Sequence, residues 1–148
     1  MRALISLLVL LFATSALAQQ QPWWGGSASG TGYPTNSTPV TASATGTTAA
    51  LTATLPGVAG KLTFICGFAM TSAGTTTAAA GTGTVTGTIG GTLNFAFEDP
   101  APAAGQGRLI VLFNTCIPAN AMNTAIVVTQ PAGGTATVAA VTAWGYQL

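Results

Sequence analysis

Thr82-Gly83-Thr84-Val85-Thr86-Gly87-Thr88-Ile89-Gly90-Gly91-Thr92-Leu93-Asn94-Phe95-Ala96-Phe97 reads as two strands joined by a turn. In the first strand Thr alternates with Gly, Val and Ile. In the second, Leu93, Phe95 and Phe97 share one phase. A period of two is the mark of a strand, and Gly90-Gly91 is a hairpin turn signal. Upstream, Ala49, Leu51, Ala53 and Leu55 alternate with Thr48, Ala50, Thr52 and Thr54 until Pro56-Gly57 stops them. Between these lies Lys61 to Met70. Leu62, Phe64, Cys66, Phe68 and Met70 are expected on one face, with Ile65 and Ala69 on the other, as in a central strand.

Downstream, Glu98-Asp99-Pro100-Ala101-Pro102 is a loop, because proline offers no ladder donor. Arg108 to Cys116 is apolar at both phases and is expected to be a second central strand; Pro118 ends it. Thr124 to Thr129 is short and β-branched. Thr135 to Tyr146 is the last strand, carrying Val138, Val141, Trp144 and Tyr146. No segment after the N-terminal leader sustains a 3.6-residue apolar period. About seven strands with regular Gly/Pro turns predict an all-β antiparallel β-sandwich, jelly-roll or immunoglobulin-like. A closed barrel is the second choice.

The N-terminus sets the expected compartment. Met1-Arg2, an apolar run from Ala3 to Phe12 and Ala16-Leu17-Ala18 have the order of a secretory signal peptide over residues 1–18. The run is short for a membrane anchor, which needs about 20 apolar residues. No later segment is long and apolar enough to cross a membrane. Residues 19–46, rich in Gln, Gly, Ser, Thr and Pro, read as a flexible arm. Residues 47–148 form the sandwich domain. The arm carries Trp23-Trp24, which are expected to dock on the domain, a neighbouring copy or a ligand rather than stay in water. Cys66 and Cys116 in an exported chain are expected to form a disulfide. Free thiols or an intermolecular bridge are the alternatives.

Charge excludes whole classes of function. Past the leader only Lys61, Glu98, Asp99 and Arg108 are charged, and they sum to zero. An ordinary domain is about a quarter charged. Nothing here can neutralise a row of phosphates, so nucleic-acid binding is excluded. Weak repulsion between copies suits a chain packed in an assembly.

Candidate chemistry is equally sparse. Without His there is no Ser-His dyad and no imidazole ligand. Glu98 and Asp99 are adjacent, so on an extended chain they point to opposite sides and cannot flank one bond. No cofactor, metal site or catalytic residue is assigned, and the chain is expected not to be an enzyme. Two candidate contact surfaces remain. Trp23, Trp24, Tyr33, Trp144 and Tyr146 could form a stacking platform for glycan or a partner. Thr82, Thr84, Thr86 and Thr88 form a Thr ladder; several such strands in register would make a flat face able to order water. Thr52/Thr54 and Thr135/Thr137 add shorter pairs.

Thr63-Phe64-Ile65-Cys66-Gly67-Phe68, Cys116-Ile117-Pro118-Ala119, Asn123-Thr124-Ala125-Ile126-Val127-Val128 and Trp144-Gly145-Tyr146 resemble small β-sandwich proteins encoded by tailed phages and prophages. The resemblance spans roughly residues 45–148. It implies a virion-surface or decoration role and transfers no functional residue. The leader departs from that pattern, because tailed virions assemble in the cytoplasm. Either the apolar N-terminus is not processed as a signal, or this is a related module in the periplasm or at a cell surface. The expected function is therefore a non-catalytic structural or decoration module of a virion or cell-surface assembly, homo-oligomeric or part of a larger array. A secreted glycan- or surface-binding module is the alternative, followed by a pilin-like subunit or an ice-binding protein. The arm lacks the alternating apolar residues that a donated pilin strand needs.

Overall fold

The computed structural model describes residues 32–74, 79–99, 105–134 and 138–148. Residues 1–31, with the expected signal peptide and with Trp23 and Trp24, and Thr135/Thr137 lie outside the described residues. Eight strands follow in chain order. They are β1 Thr38–Gly46, β2 Leu51–Leu55, β3 Thr63–Ala73, β4 Ala79–Thr88, β5 Gly91–Asp99, β6 Gln106–Pro118, β7 Ile126–Gln130 and β8 Val138–Gln147. Among the described residues there is no helix. The strands make two antiparallel four-stranded sheets, a β-sandwich. Sheet A has the order β1-β8-β3-β6 and sheet B the order β2-β7-β4-β5.

The pairing has a simple rule. β1 pairs with β8, β2 with β7, β3 with β6 and β4 with β5. The chain is thus doubled back on itself about the β4–β5 turn, and successive pairs alternate between the sheets. β3–β8 and β4–β7 pairing then joins the pairs side by side. This is the jelly-roll arrangement of two sheets, which decides between the two sandwich types that alternation alone left open.

The eighth strand is β1, in a stretch that reads as arm. Its inward residues are Val40, Ala42 and Ala44, which pack against the core. They are small enough, among Thr, Ser and Pro, to look like linker. Arg108 to Cys116 is also placed differently. β6 is an edge strand of sheet A, not a central one, and its outward Ile110 and Leu112 are exposed.

The core lies between the sheets. Phe68, Leu55, Ile65, Met70, Ile126, Val85, Val128 and Val141 are fully buried. The Phe68 ring meets Phe95 of the opposite sheet edge-on at 5.0 Å. At one end a buried polar cluster ties the layers together. Gln147 Nε2 donates to the Pro56 carbonyl (2.6 Å) and to Thr63 Oγ1 (3.2 Å), and Thr63 Oγ1 donates to Pro56 O (2.9 Å). Such buried groups are tolerable because they are satisfied.

The phase of β3 departs from simple alternation. Between the Ile65–Ile117 and Gly67–Leu112 pairs, Cys66 alone faces Phe113 to Cys116. This irregularity shifts the phase. Ile65, Phe68 and Met70 point inward together, and Phe64 points outward. The expected grouping of Phe64 with Phe68 and Met70 fails for that reason. The Cys66–Cys116 disulfide sits on the irregularity, with Cα atoms 4.2 Å apart. It closes a loop of 50 residues, worth about 4 kcal/mol in the chain-entropy account. Cys66→Ser and Cys116→Ser are each expected to lower the stability of the oxidised protein by about that amount. The double variant should be no less stable than either single one, as urea denaturation will read.

Candidate functional site

With the inner faces consumed by the core, contact surfaces must come from the outer faces. On sheet A, register sets residues side by side across the strands. Pro39, Tyr146, Phe64 and Pro118 form one row. Thr41, Trp144, Gly67 and Leu112 form the next, and Ser43, Thr142, Ala69 and Ile110 the third. Tyr146 stacks on Phe64 with centroids 4.7 Å apart and planes 13° apart, and Tyr33 meets its ring at 5.6 Å. Trp144 is half-buried. Its indole lies over Gly67, where a Cβ would meet the ring at 2.6 Å, so the absence of a side chain lets it lie down on the sheet.

Three of the five candidate aromatics, Tyr33, Trp144 and Tyr146, therefore share this face. Trp23 and Trp24 lie outside the described residues. The structure adds Phe64, which the sequence pattern groups with Phe68 and Met70 on one face. The only hint of its position is that β3 is apolar at both phases. Tyr146 is just 8% exposed because its neighbours cover it, so its ring is spent on contacts within the chain. Burial also pushes its phenol above the usual 10.0.

On sheet B, Thr82, Thr84 and Thr86 point outward. Thr84 lies in a row with Thr52, Thr129 and Asn94, reaching across all four strands. Thr54, Val127 and Thr86 form the adjacent row, and Thr82 faces Ala96. Thr129 and Asn94 extend the face that the Thr ladder alone suggested. Thr88 leaves it. The register shifts between Val85 and Thr88, and Gly87 sits at a φ of 82°, a conformation open to glycine. The bulge turns Thr88 inward to 2% exposure, where its Oγ1 donates to the Gly91 carbonyl at 2.6 Å.

The charged side chains are scattered. Lys61 Nζ donates to Thr38 Oγ1 at 2.9 Å. Glu98 is exposed on β5 opposite Ala80, and Arg108 is exposed on β6 opposite Thr71. Among the described residues no three His, Cys, Asp or Glu side chains gather as metal ligands would. A shallow recess of about 200 Å³ at the far end of sheet A is lined by Thr71, Ala73, Gln106, Val138 and Ala140, among others, with no ionisable group. No helix among them is long and apolar enough to cross a membrane.

Comparison with known proteins finds no match: no family model fits the chain, and no curated protein or solved structure is significantly similar to it.

Two measurements check this placement. Thr84→Val on the outer face should change stability by no more than about 0.5 kcal/mol. Thr88→Val, which removes the hydrogen bond to the Gly91 carbonyl from a buried site, should cost about 1 kcal/mol. Equal effects in urea denaturation would return Thr88 to the outer face. For Tyr146 the sign is set by its raised pKa. The unfolded phenol ionises first, so stability is full below about pH 10 and is lost as pH rises through the folded pKa. Tyr146→Phe should show less alkaline loss than the wild type in melts across that range.

Proposed function

We propose that the chain is a non-catalytic structural module, a decoration or building subunit of a virion or cell-surface assembly. The outer face of sheet B carries this reading. It is built from Thr, Asn, Val and Ala across four strands in register and has no charge in its central rows. Natural sheets commonly use exposed charge to keep copies apart. Here a second copy can stack on the central rows without desolvating an ion, since Glu98 stands beyond Thr82 and Ala96 at the end of the face, and rows of short side chains suit such close packing.

Other observations agree. The disulfide is compatible with an oxidising compartment. Jelly-roll sandwiches occur in viral capsid and lectin domains, but a fold hosts many functions, so this adds analogy only. Between those two, the closed stack of Tyr33, Tyr146 and Phe64 favours the structural reading, because a sugar platform needs an open ring face.

Light scattering on the purified chain tests the proposal. A defined oligomer is expected, with a mass insensitive to salt because no ion pair holds it. Thr84→Lys, a charge at the centre of the sheet B face, should shift it to monomer. A wild-type chain that stays monomeric at every concentration would overturn the reading.

A further inference from the structure

The outer face of sheet A presents a separate problem. Leu112 is 69% exposed and Ile110 45%, two residues apart on β6 and on the same side. In the register they lie beside half-buried Trp144 and the small Gly67 and Ala69. The result is an apolar surface with no charged side chain until Arg108, one row further along. Contiguous apolar surface of this kind is normally covered.

The described chain begins on this same face. Tyr33 rests on Tyr146, one row from Trp144. The residues before it include the one pair of adjacent aromatics in the sequence, bracketed by Pro22 and Gly25-Gly26. We propose that Trp23 and Trp24 pack back in cis onto the outer face of sheet A, covering Trp144, Leu112 and Ile110.

Reach and chemistry fit. Trp24 lies nine positions before Tyr33, and a segment of that span can extend to about 30 Å. From β8 to β6 is two strand spacings, about 10 Å, so the arm crosses the face with slack. A short tether also holds the tryptophans at an effective concentration in the millimolar range, which favours the chain's own face over a neighbour's. Indoles bring large apolar rings and one N–H each. The hydroxyls of Thr142 and Ser43, in the row of Ile110, offer acceptors beside the apolar surface. Neither the arm nor these rows carries charge, so the contact is apolar and insensitive to salt. The proposal concerns the sheet opposite the one assigned to assembly and stands independently of it.

Tryptophan fluorescence of the purified full chain tests it. The emission of Trp23 and Trp24 is read as the difference between the full chain and its Trp23→Phe/Trp24→Phe variant, in which Trp144 alone emits. That difference emission should be blue-shifted, and acrylamide should quench it several-fold less than in denaturant. Adding Leu112→Asp should return both readings to their denatured values while circular dichroism stays native. Dilution should change neither. Solvent-like emission before Leu112→Asp is introduced would overturn the proposal. So would protection that survives Leu112→Asp, or protection lost on dilution, which would put the arm on a second copy. If Leu112→Asp does not fold, removing residues 19–31 replaces it. The shortened chain should then bind a hydrophobic dye several-fold more strongly than the full chain, and equal binding would overturn the proposal.

Discussion

Cys66 and Cys116 meet where the ladder between β3 and β6 slips, and the rest of sheet A depends on how that slip is held. A shift of one residue moves every side chain of a strand to the other face. On one side of Cys66, Thr63 and Ile65 point to the core; on the other, Phe68 and Met70 do. A regular ladder could not bury both pairs. It would bring Phe64 into the sandwich and expel Ile65. The irregularity therefore builds the core and the outer aromatic stack in one step, because the Phe64 it sends out is the residue on which Tyr146 stacks. A disulfide at that point fixes a pairing that hydrogen bonds alone specify weakly.

The same bond helps with a topological difficulty. Among the described residues only β4 and β5 are joined by a two-residue turn. β1 pairs with β8 across nearly the whole described chain, so its contacts close the largest loop of all. Long-range pairing of this kind is entropically costly and slow. Joining Cys66 to Cys116 takes a sequence separation of 50 out of the effective path between β1 and β8. It also holds β3 beside β6, leaving β8 to add along the other edge of β3. The buried Gln147–Thr63–Pro56 cluster then anchors the end of β8 to β3 and to the segment after β2.

Much of this was legible in the residues, for definable reasons. β2, β4, β5 and β7 each bury one face, so alternation marks them. Gly90-Gly91 marks the turn about which the chain doubles, and a pair of cysteines behind an apparent export signal predicts its own bond. β1 was illegible because Val40, Ala42 and Ala44 bury little area, and composition says linker. β6 was misjudged because an apolar residue at both phases is the mark of a central strand; here the outward Ile110 and Leu112 lie on an edge. Thr88 and Phe64 were assigned to the wrong faces by one cause acting twice. Strict period two cannot see a bulge, and each residue lies just beyond one.

The near absence of charge reaches past solubility. In most domains, titration and ion pairing tell a reader where function lies. Here Lys61, Glu98 and Arg108 sit apart, and burial in an aromatic stack raises the Tyr146 phenol. Recognition must therefore come from shape, from apolar contact and from neutral hydrogen bonds. The two outer faces divide that work. Sheet B offers short hydroxyl and amide side chains in flat rows, which suit repeated packing against an equivalent surface. Sheet A offers large aromatic and aliphatic groups over small ones, which suit an inserted side chain. With so few charges on two unlike faces, apolar contact and neutral hydrogen bonds are the means this surface has to hold a partner.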